Sequence, residues 1–257
     1  MTLAIIAISF LIIPIYSTME ENARRPGNVF QLLVGWLLKT DYLAVHASIA
    51  LSVLFSLISF ILILSFFERT SVPEILYLSF FILSFSFEVF RLILPIQLIR
   101  SFPSLYLITV TKILFFVRFL GMFSLFTTGI CAAGLDVQRT RIIIIMIIIA
   151  SLACSMRVPI DAQTWDTCFN FATGFTSMFI MVEVIAFIAT AISFLVAVKI
   201  RRSNDYFYVG AGLTLALFGR NILFNTDNWA GPIAGILFLS FGTWLMCSKL
   251  HRIHLWL

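Results

Sequence analysis

The chain has 257 residues, 61% hydrophobic and only 11% charged, with 28 Phe and a net charge of +5. No soluble domain of this size keeps so much apolar surface from water. The basic excess is spread over short polar breaks and forms no basic arm, which argues against nucleic-acid binding. Long continuous apolar runs are the pattern of a polytopic membrane protein. Backbone polar groups in lipid must be satisfied within the segment, so these runs are expected to be helices. The alternation of a membrane β-barrel is missing.

The first apolar run is Thr2–Tyr16, short for a span and similar to a signal-peptide core, but without a basic start or a small-x-small cleavage site. It reads as an uncleaved anchor, with a removed signal as the alternative. A polar linker, Met19–Gln31, follows. Val29–Leu38, which contains Trp36, reads as an interfacial helix or the lead-in to the next span. Seven spans are then expected: Tyr42–Phe67, Pro73–Ile96, Leu105–Leu135, Ile142–Met156, Phe169–Val198, Tyr206–Phe224 and Ala230–Cys247. Pro73 and Pro232 fall in first helical turns, where the missing N–H costs nothing. Pro95, Pro103 and Pro159 are placed at or beyond helix ends. The expectation is an all-α transmembrane bundle of seven core helices (residues 42–257), preceded by the anchor-like helix and linker (residues 1–41).

Lys and Arg give the orientation. With the C-terminus cytoplasmic, the inner loops carry Arg69, Arg139, Arg141, Lys199, Arg201, Arg202, Lys249 and Arg252, while the outer segments carry Arg24, Arg25, Lys39, Arg100 and Arg157. The stretch "KIRRSND", Lys199 to Asp205, is the strongest vote for this orientation, and Arg24 and Arg25 oppose it. Trp165 and Trp229 then belong to the outer aromatic belt, Trp244 and Trp256 to the inner one. Both termini are expected inside. Cys131, Cys154, Cys168 and Cys247 form no CxxC, and only Cys154 and Cys168 fall near one membrane face. No cofactor or metal site is expected from these cysteines and the three histidines. His251 and His254 of "HRIH" are placed beyond the last span, at the interface.

Ionisable groups inside spans cost about 2.5–3.5 kcal/mol each on insertion scales, so each needs a reason. They are Glu88, Arg91, Lys112, Arg118, Glu183 and Arg220, with Asn221 beside the last. Glu88 and Arg91, three apart, share a helix face. At about 1.5 Å per residue, Glu88, Arg91, Lys112 and Arg220 fall towards the outer side, and Arg118 and Glu183 near mid-membrane. One reading is structural: Glu88 pairs with Arg91 or Arg220, Glu183 with Arg118, and Lys112 snorkels. A second is a pocket for an anionic or polar ligand, with the cations as binders and the carboxylates fixing them. A third is a proton or ion path through Glu88 and Glu183. Elsewhere, Gly231 and Gly235 of "GPIAG", and Gly210 and Gly212, are spaced for close helix approach.

No G-x-S-x-G or Gly-rich phosphate loop occurs, and Lys249 lies at the end of the last span, which excludes a rhodopsin-like retinal site. Glu20, Glu21 and Arg25 fit EExxxR, and "YLAVH", Tyr42 to His46, resembles FxxxH with Tyr for Phe; both belong to the CAAX-type intramembrane proteases. Pro26 and Gly27 oppose a helix through that first motif, and no later span carries a further His. An intramembrane protease is therefore the third reading, behind two non-enzymatic ones.

Two stretches carry a broader likeness: "FFERTSVPEILYLSFFILSFSFEV", Phe66 to Val89, and "KIRRSNDYFYVGAGLTLALFGRNILF", Lys199 to Phe224, followed by a last span and "CSKLHR". With the leader-like helix and polar outer segment, the chain is similar to the seven-transmembrane receptors with diverse intracellular signalling modules. It also resembles the seven-helix modules of some bacterial histidine kinases. The resemblance implies a sensing or signalling module, or a subunit of a larger complex, in a bacterial cytoplasmic membrane. Such receptors usually carry outer sensing and inner output domains; the expectation here is a signal passed to a separate membrane or cytoplasmic protein. The alternative is a small transporter or channel using the same charges.

Overall fold

The computed structural model describes residues 37, 39–67, 73–97, 103–134, 140–174 and 176–255. The expected helix over Thr2–Tyr16, the Glu20–Arg25 string and nearly all of Val29–Leu38 lie outside the described residues, as do Arg69, Arg100, Arg139 and Trp256.

Among the described residues, seven helical spans are long and apolar enough to cross a membrane, and the protein is an integral membrane helical bundle. The elements are α1 (Tyr42–Phe67), α2 (Pro73–Ser84), a 3₁₀ segment (Phe85–Leu92), α3 (Ile93–Gln97), α4 (Ser104–Ala132), α5 (Thr140–Arg157), β1 (Ile160–Trp165), β2 (Phe171–Thr173), α6 (Thr176–Arg201), α7 (Asp205–Asn225) and α8 (Ala230–Leu255). α2, the 3₁₀ segment and α3 together make one span. Short connections alternate the spans in direction, so the starts of α1, α4, α6 and α8 share one end with the ends of α3, α5 and α7. The β-hairpin lies at that end.

Three expectations change. The fifth span starts at Thr176, because Phe169–Thr173 belongs to the hairpin. The last helix runs on to Leu255, so "HRIH" is helical. Pro95 lies inside α3 and does not end a helix.

Local chemistry explains the 3₁₀ segment. Ser84 and Ser86 donate their hydroxyls back to the carbonyls of Phe81 (2.6 Å) and Leu83 (2.7 Å), a pattern that loosens and bends α-helices. Three residues past its other end, Pro95 lacks the N–H that would serve the Arg91 carbonyl. A 3₁₀ repeat of three residues per turn stacks positions i and i+3. Phe85, Glu88 and Arg91 therefore form one buried row.

The core is built from aromatic and aliphatic side chains of most of the spans. Phe85 packs at ring distances of 5.4 Å on Phe55, 5.1 Å on Phe81 and 5.5 Å on Phe224. Glycines bring α7 and α8 together. A Cβ on Gly242 would lie 2.5 Å from the Gly212 carbonyl oxygen, and one on Gly219 would lie 2.8 Å from the Gly235 carbonyl oxygen. The two glycines on each helix are seven residues apart and meet in antiparallel register, which lets the backbones touch. Gly235 thus packs as its spacing suggested, whereas Gly231 packs against Thr226 at the α7–α8 turn. Gly212 faces α8, and Gly210 accommodates Phe194 of α6.

The hairpin plugs its end of the bundle. Its strands pair antiparallel with an irregularity between Ile160 and Trp165. The tip closes with Asp166 N–H donating to the Asn170 carbonyl (2.8 Å) and Phe169 N–H donating to that of Asp166 (3.0 Å). Phe169 takes a left-handed backbone, φ 56°, which is costly for a bulky residue. Its ring is buried and lies 5.2 Å from that of His46 and 6.1 Å from that of Tyr42. Phe171 is buried with it among Val45, Ile49, Val89, Leu92 and Leu107. Burying two Phe side chains contributes about 1.5–3 kcal/mol each and offsets the backbone cost. Thr167 donates its hydroxyl to Asp227 (2.9 Å) and Trp229 its indole N–H to Asp41 (3.0 Å), joining the tip, the α7–α8 turn and the start of α1.

Candidate functional site

The 3₁₀ segment presents Glu88 and Arg91 to α4 and to the hairpin. Glu88 is fully buried. Arg118, from the middle of α4, grips it with both arms: Nε donates to Oε1 at 2.8 Å and Nη2 to Oε2 at 2.7 Å. This is the planar bidentate geometry that makes Arg–carboxylate pairs strong. Arg118 Nη2 also donates to Asn170 Oδ1 at 3.1 Å, so the hairpin tip is tied directly to the pair. Arg91 Nη1 is 3.5 Å from Glu88 Oε2. The other Arg91 nitrogens donate to the Cys168 carbonyl, Nε at 3.1 Å and Nη2 closer still.

Arg220 enters from α7. Its Nη2 donates to the Arg118 carbonyl at 3.3 Å. Both guanidiniums lie over the Phe224 ring, that of Arg118 4.8 Å and that of Arg220 5.2 Å from the ring centre. A ring so placed attracts both cations through its quadrupole. Glu183, half-buried on α6, makes no ion pair within 4.0 Å among the described residues, but it is near enough to act electrostatically on Arg220 and Arg118. The array therefore runs from the hairpin carbonyl through Arg91, Glu88 and Arg118 to Arg220, with Glu183 alongside.

Of the residues read from the sequence, Glu88, Arg91, Arg118 and Arg220 converge, Glu88 taking both Arg118 and Arg91 as partners. Two do not join them. Lys112 Nζ donates to the Met156 carbonyl at 3.3 Å, near the end of α5, where a cation complements the helix dipole. It stands beside Ser155, whose hydroxyl donates to the Lys112 carbonyl at 2.5 Å. Asn221 is exposed and accepts from Asn225 on the outer face of α7. With α6 starting at Thr176, Glu183 lies about 10 Å into its helix at 1.5 Å per residue, closer to the hairpin end than a start at Phe169 implied.

Asn170, the Cys168 carbonyl and Phe224 were not singled out in the sequence. Asn170 sits in an apolar-looking run, "CFNFATGF", which hides the hairpin. The alternation in "IDAQTW", with Pro159 before it and Gly174 after it, was the available strand signal.

His46 lies nearby, with Nδ1 2.8 Å from the Tyr42 carbonyl and the ring edge-on to Phe169. No group of three metal-ligating side chains forms among the described residues. Cys131, Cys154, Cys168 and Cys247 are free thiols.

The two ends of the bundle differ in charge. Among the described residues, the hairpin end carries Asp41, Asp161, Asp166 and Asp227 against Lys39 and Arg157. The opposite end carries Arg141, Lys199, Arg201, Arg202, Lys249 and Arg252 against Glu74 and Asp205. Lys249 and Asp205 pair across α7 and α8 at 3.0 Å.

Compared with family models, curated proteins and solved structures, the chain finds no match.

Proposed function

We propose that this protein is a non-enzymatic membrane sensing module whose switch is the buried Glu88–Arg118 pair with Arg91 and Arg220 around it. The observation that carries this is the tie of these charges to the hairpin tip, Arg118 donating to Asn170 and Arg91 to the Cys168 carbonyl. A ligand or partner that displaces the tip removes acceptors from Arg118 and Arg91. Arg91 belongs to a 3₁₀ stretch of a kind that often marks a hinge, and Arg118 binds Glu88 of the same stretch. The guanidiniums then seek new acceptors, and the span from Pro73 to Gln97 shifts relative to α4 and α7. The basic end is assigned to the cytoplasm by its Lys and Arg content, with the acidic hairpin end outside. The ligand is an anionic or polar group approaching from the hairpin side. A separate membrane or cytoplasmic protein reads the movement at Lys199–Asp205.

A transporter or channel using the same charges is the second reading, favoured by Glu183, which lies near Arg220 without pairing to it. Native co-purification of wild type and Arg220→Gln, with liposome flux of the pure protein alongside, separates the two. A sensor brings down a stoichiometric partner whose yield changes in the variant. A protein that purifies alone and carries ion flux abolished by Arg220→Gln overturns the proposal.

A further inference from the structure

The buried array is out of electrical balance. Arg91 and Arg118 pair with Glu88 in contact, and Arg220 acts on Glu88 and Glu183 only at a distance, so three cations share two carboxylates and one positive charge is left over. Net charge in a membrane interior is expensive, and two donors add to the imbalance. Arg91 Nη1 and Arg220 Nε are buried and have no hydrogen-bond acceptor among the described residues. Arg91 also lines a small, partly open cavity of about 20 Å³, walled in addition by Phe169, Asn170 and Phe171 of the hairpin and by Leu107, Thr111 and Phe115 of α4. A space of about 10–15 Å³ on this measure takes one water-sized sphere, so the cavity takes one small particle and is too small for a phosphate, a sulfate or a multi-carbon organic acid.

We propose that this cavity is a binding site for one compact monovalent anion of halide size, held by Arg91 beside Asn170 and completing the charge balance of the three arginines. The proposal rests on the sensing reading and names the ligand class for that site. Asn170 spends its Oδ1 on Arg118, and its amide N–H₂ remains a donor group suited to an anion. The edge of an aromatic ring is positively polarised, so aromatic walls suit a negative sphere. One bound halide makes the array of three arginines and two glutamates neutral. It also fastens the hairpin to the 3₁₀ segment, so site occupancy and hairpin position are linked.

The test uses the full chain in lipid nanodiscs, unfolded thermally in sodium chloride, bromide, formate, gluconate, phosphate or sulfate at matched ionic strength. Chloride at about ten times its Kd should raise the midpoint by about 3–6 °C over gluconate, with bromide and formate similar and phosphate and sulfate inert. Arg91→Gln should abolish the increment, and Glu88→Gln should enlarge it, because the anion then replaces the lost carboxylate charge. Chloride-35 NMR line broadening on wild type, reversed by bromide, reads binding directly if a variant does not fold. Equal midpoints in every salt with no line broadening overturn the anion site and leave the array a structural brace. Stabilisation by phosphate or sulfate as strong as by chloride overturns the size class while leaving the sensing reading intact. An undiminished chloride increment in folded Arg91→Gln places the anion elsewhere and overturns the assignment.

Discussion

Replacing Glu88 by Gln keeps the side-chain shape and removes one negative charge from the centre of the bundle. In the wild type that carboxylate is fully buried and accepts two hydrogen bonds from Arg118, at 2.8 and 2.7 Å, with Arg91 at 3.5 Å. Charge-assisted hydrogen bonds contribute about 1.5–3 kcal/mol each, and removing one member of a buried ion pair costs about 3–5 kcal/mol because its partner stays buried and uncompensated. A Gln oxygen can still accept one of the two bonds. The expected loss is therefore about 3–5 kcal/mol, or roughly 6–20 °C in unfolding midpoint for a chain of this size. Glu183→Gln is the internal control: its carboxylate is half-buried and has no ion pair within 4.0 Å among the described residues, so it should cost less than about 1 kcal/mol. The double variant Glu88→Gln/Arg118→Met should recover part of the loss, since it removes the orphaned cation too. The assay is thermal unfolding of the purified chain in one detergent, followed by far-ultraviolet circular dichroism. A loss below about 1 kcal/mol for Glu88→Gln, or equal losses for the two glutamates, would refute the reasoning.

Further outcomes follow from the same geometry. Gly242→Ala puts a methyl 2.5 Å from the Gly212 carbonyl oxygen and should destabilise by about 1–3 kcal/mol in thermal unfolding, while Ser240→Ala, on an exposed position of α8, should be nearly neutral. Burial pushes the Cys168 thiol above its ordinary value, with the Arg91 charge opposing. Less thiolate is then present near pH 8, so iodoacetamide labelling of Cys168, read by mass spectrometry, should be slow and still climbing at pH 9–10. Asn170→Ala, which removes the side-chain tie to Arg118, should speed that labelling severalfold. A single cysteine at Thr164 should react with a membrane-impermeant maleimide in intact cells and one at Arg202 should not; the reverse pattern would invert the orientation.

How far the sequence carried is clearest at the charges. Continuous apolar runs placed every span, and α1 runs from Tyr42 to Phe67 as read, because lipid leaves the backbone no alternative to a helix. Four buried charges could be picked out because each is too costly to be incidental. The spacing of Glu88 and Arg91 put them on one face under either helical repeat. Their partner in α4 was less legible, since depth along a span does not say which way a side chain points. Lys112 and Arg118 differ by six residues, about 600° of helical rotation, and only Arg118 faces Glu88. Asn221, next to Arg220, is turned away by one residue's rotation. The hairpin was hidden by composition: Phe169 and Phe171 are apolar because they plug the bundle, and the same apolarity made them read as the start of α6. Nor does composition disclose the 3₁₀ winding, which arises from two serines and a proline acting together.

Local hydrogen exchange on the native protein tests most directly whether the charge array couples the hairpin to the 3₁₀ segment. Peptides covering 85–92, 160–174 and the α7–α8 contact at 210–242 should be followed in wild type and Glu88→Gln under conditions where both stay folded. If the array is the coupling element, the first two regions lose protection together, by at least tenfold in rate, while the glycine-packed α7–α8 contact keeps its own. Protection lost evenly across all three regions, or from one of the first two alone, would contradict a coupled switch.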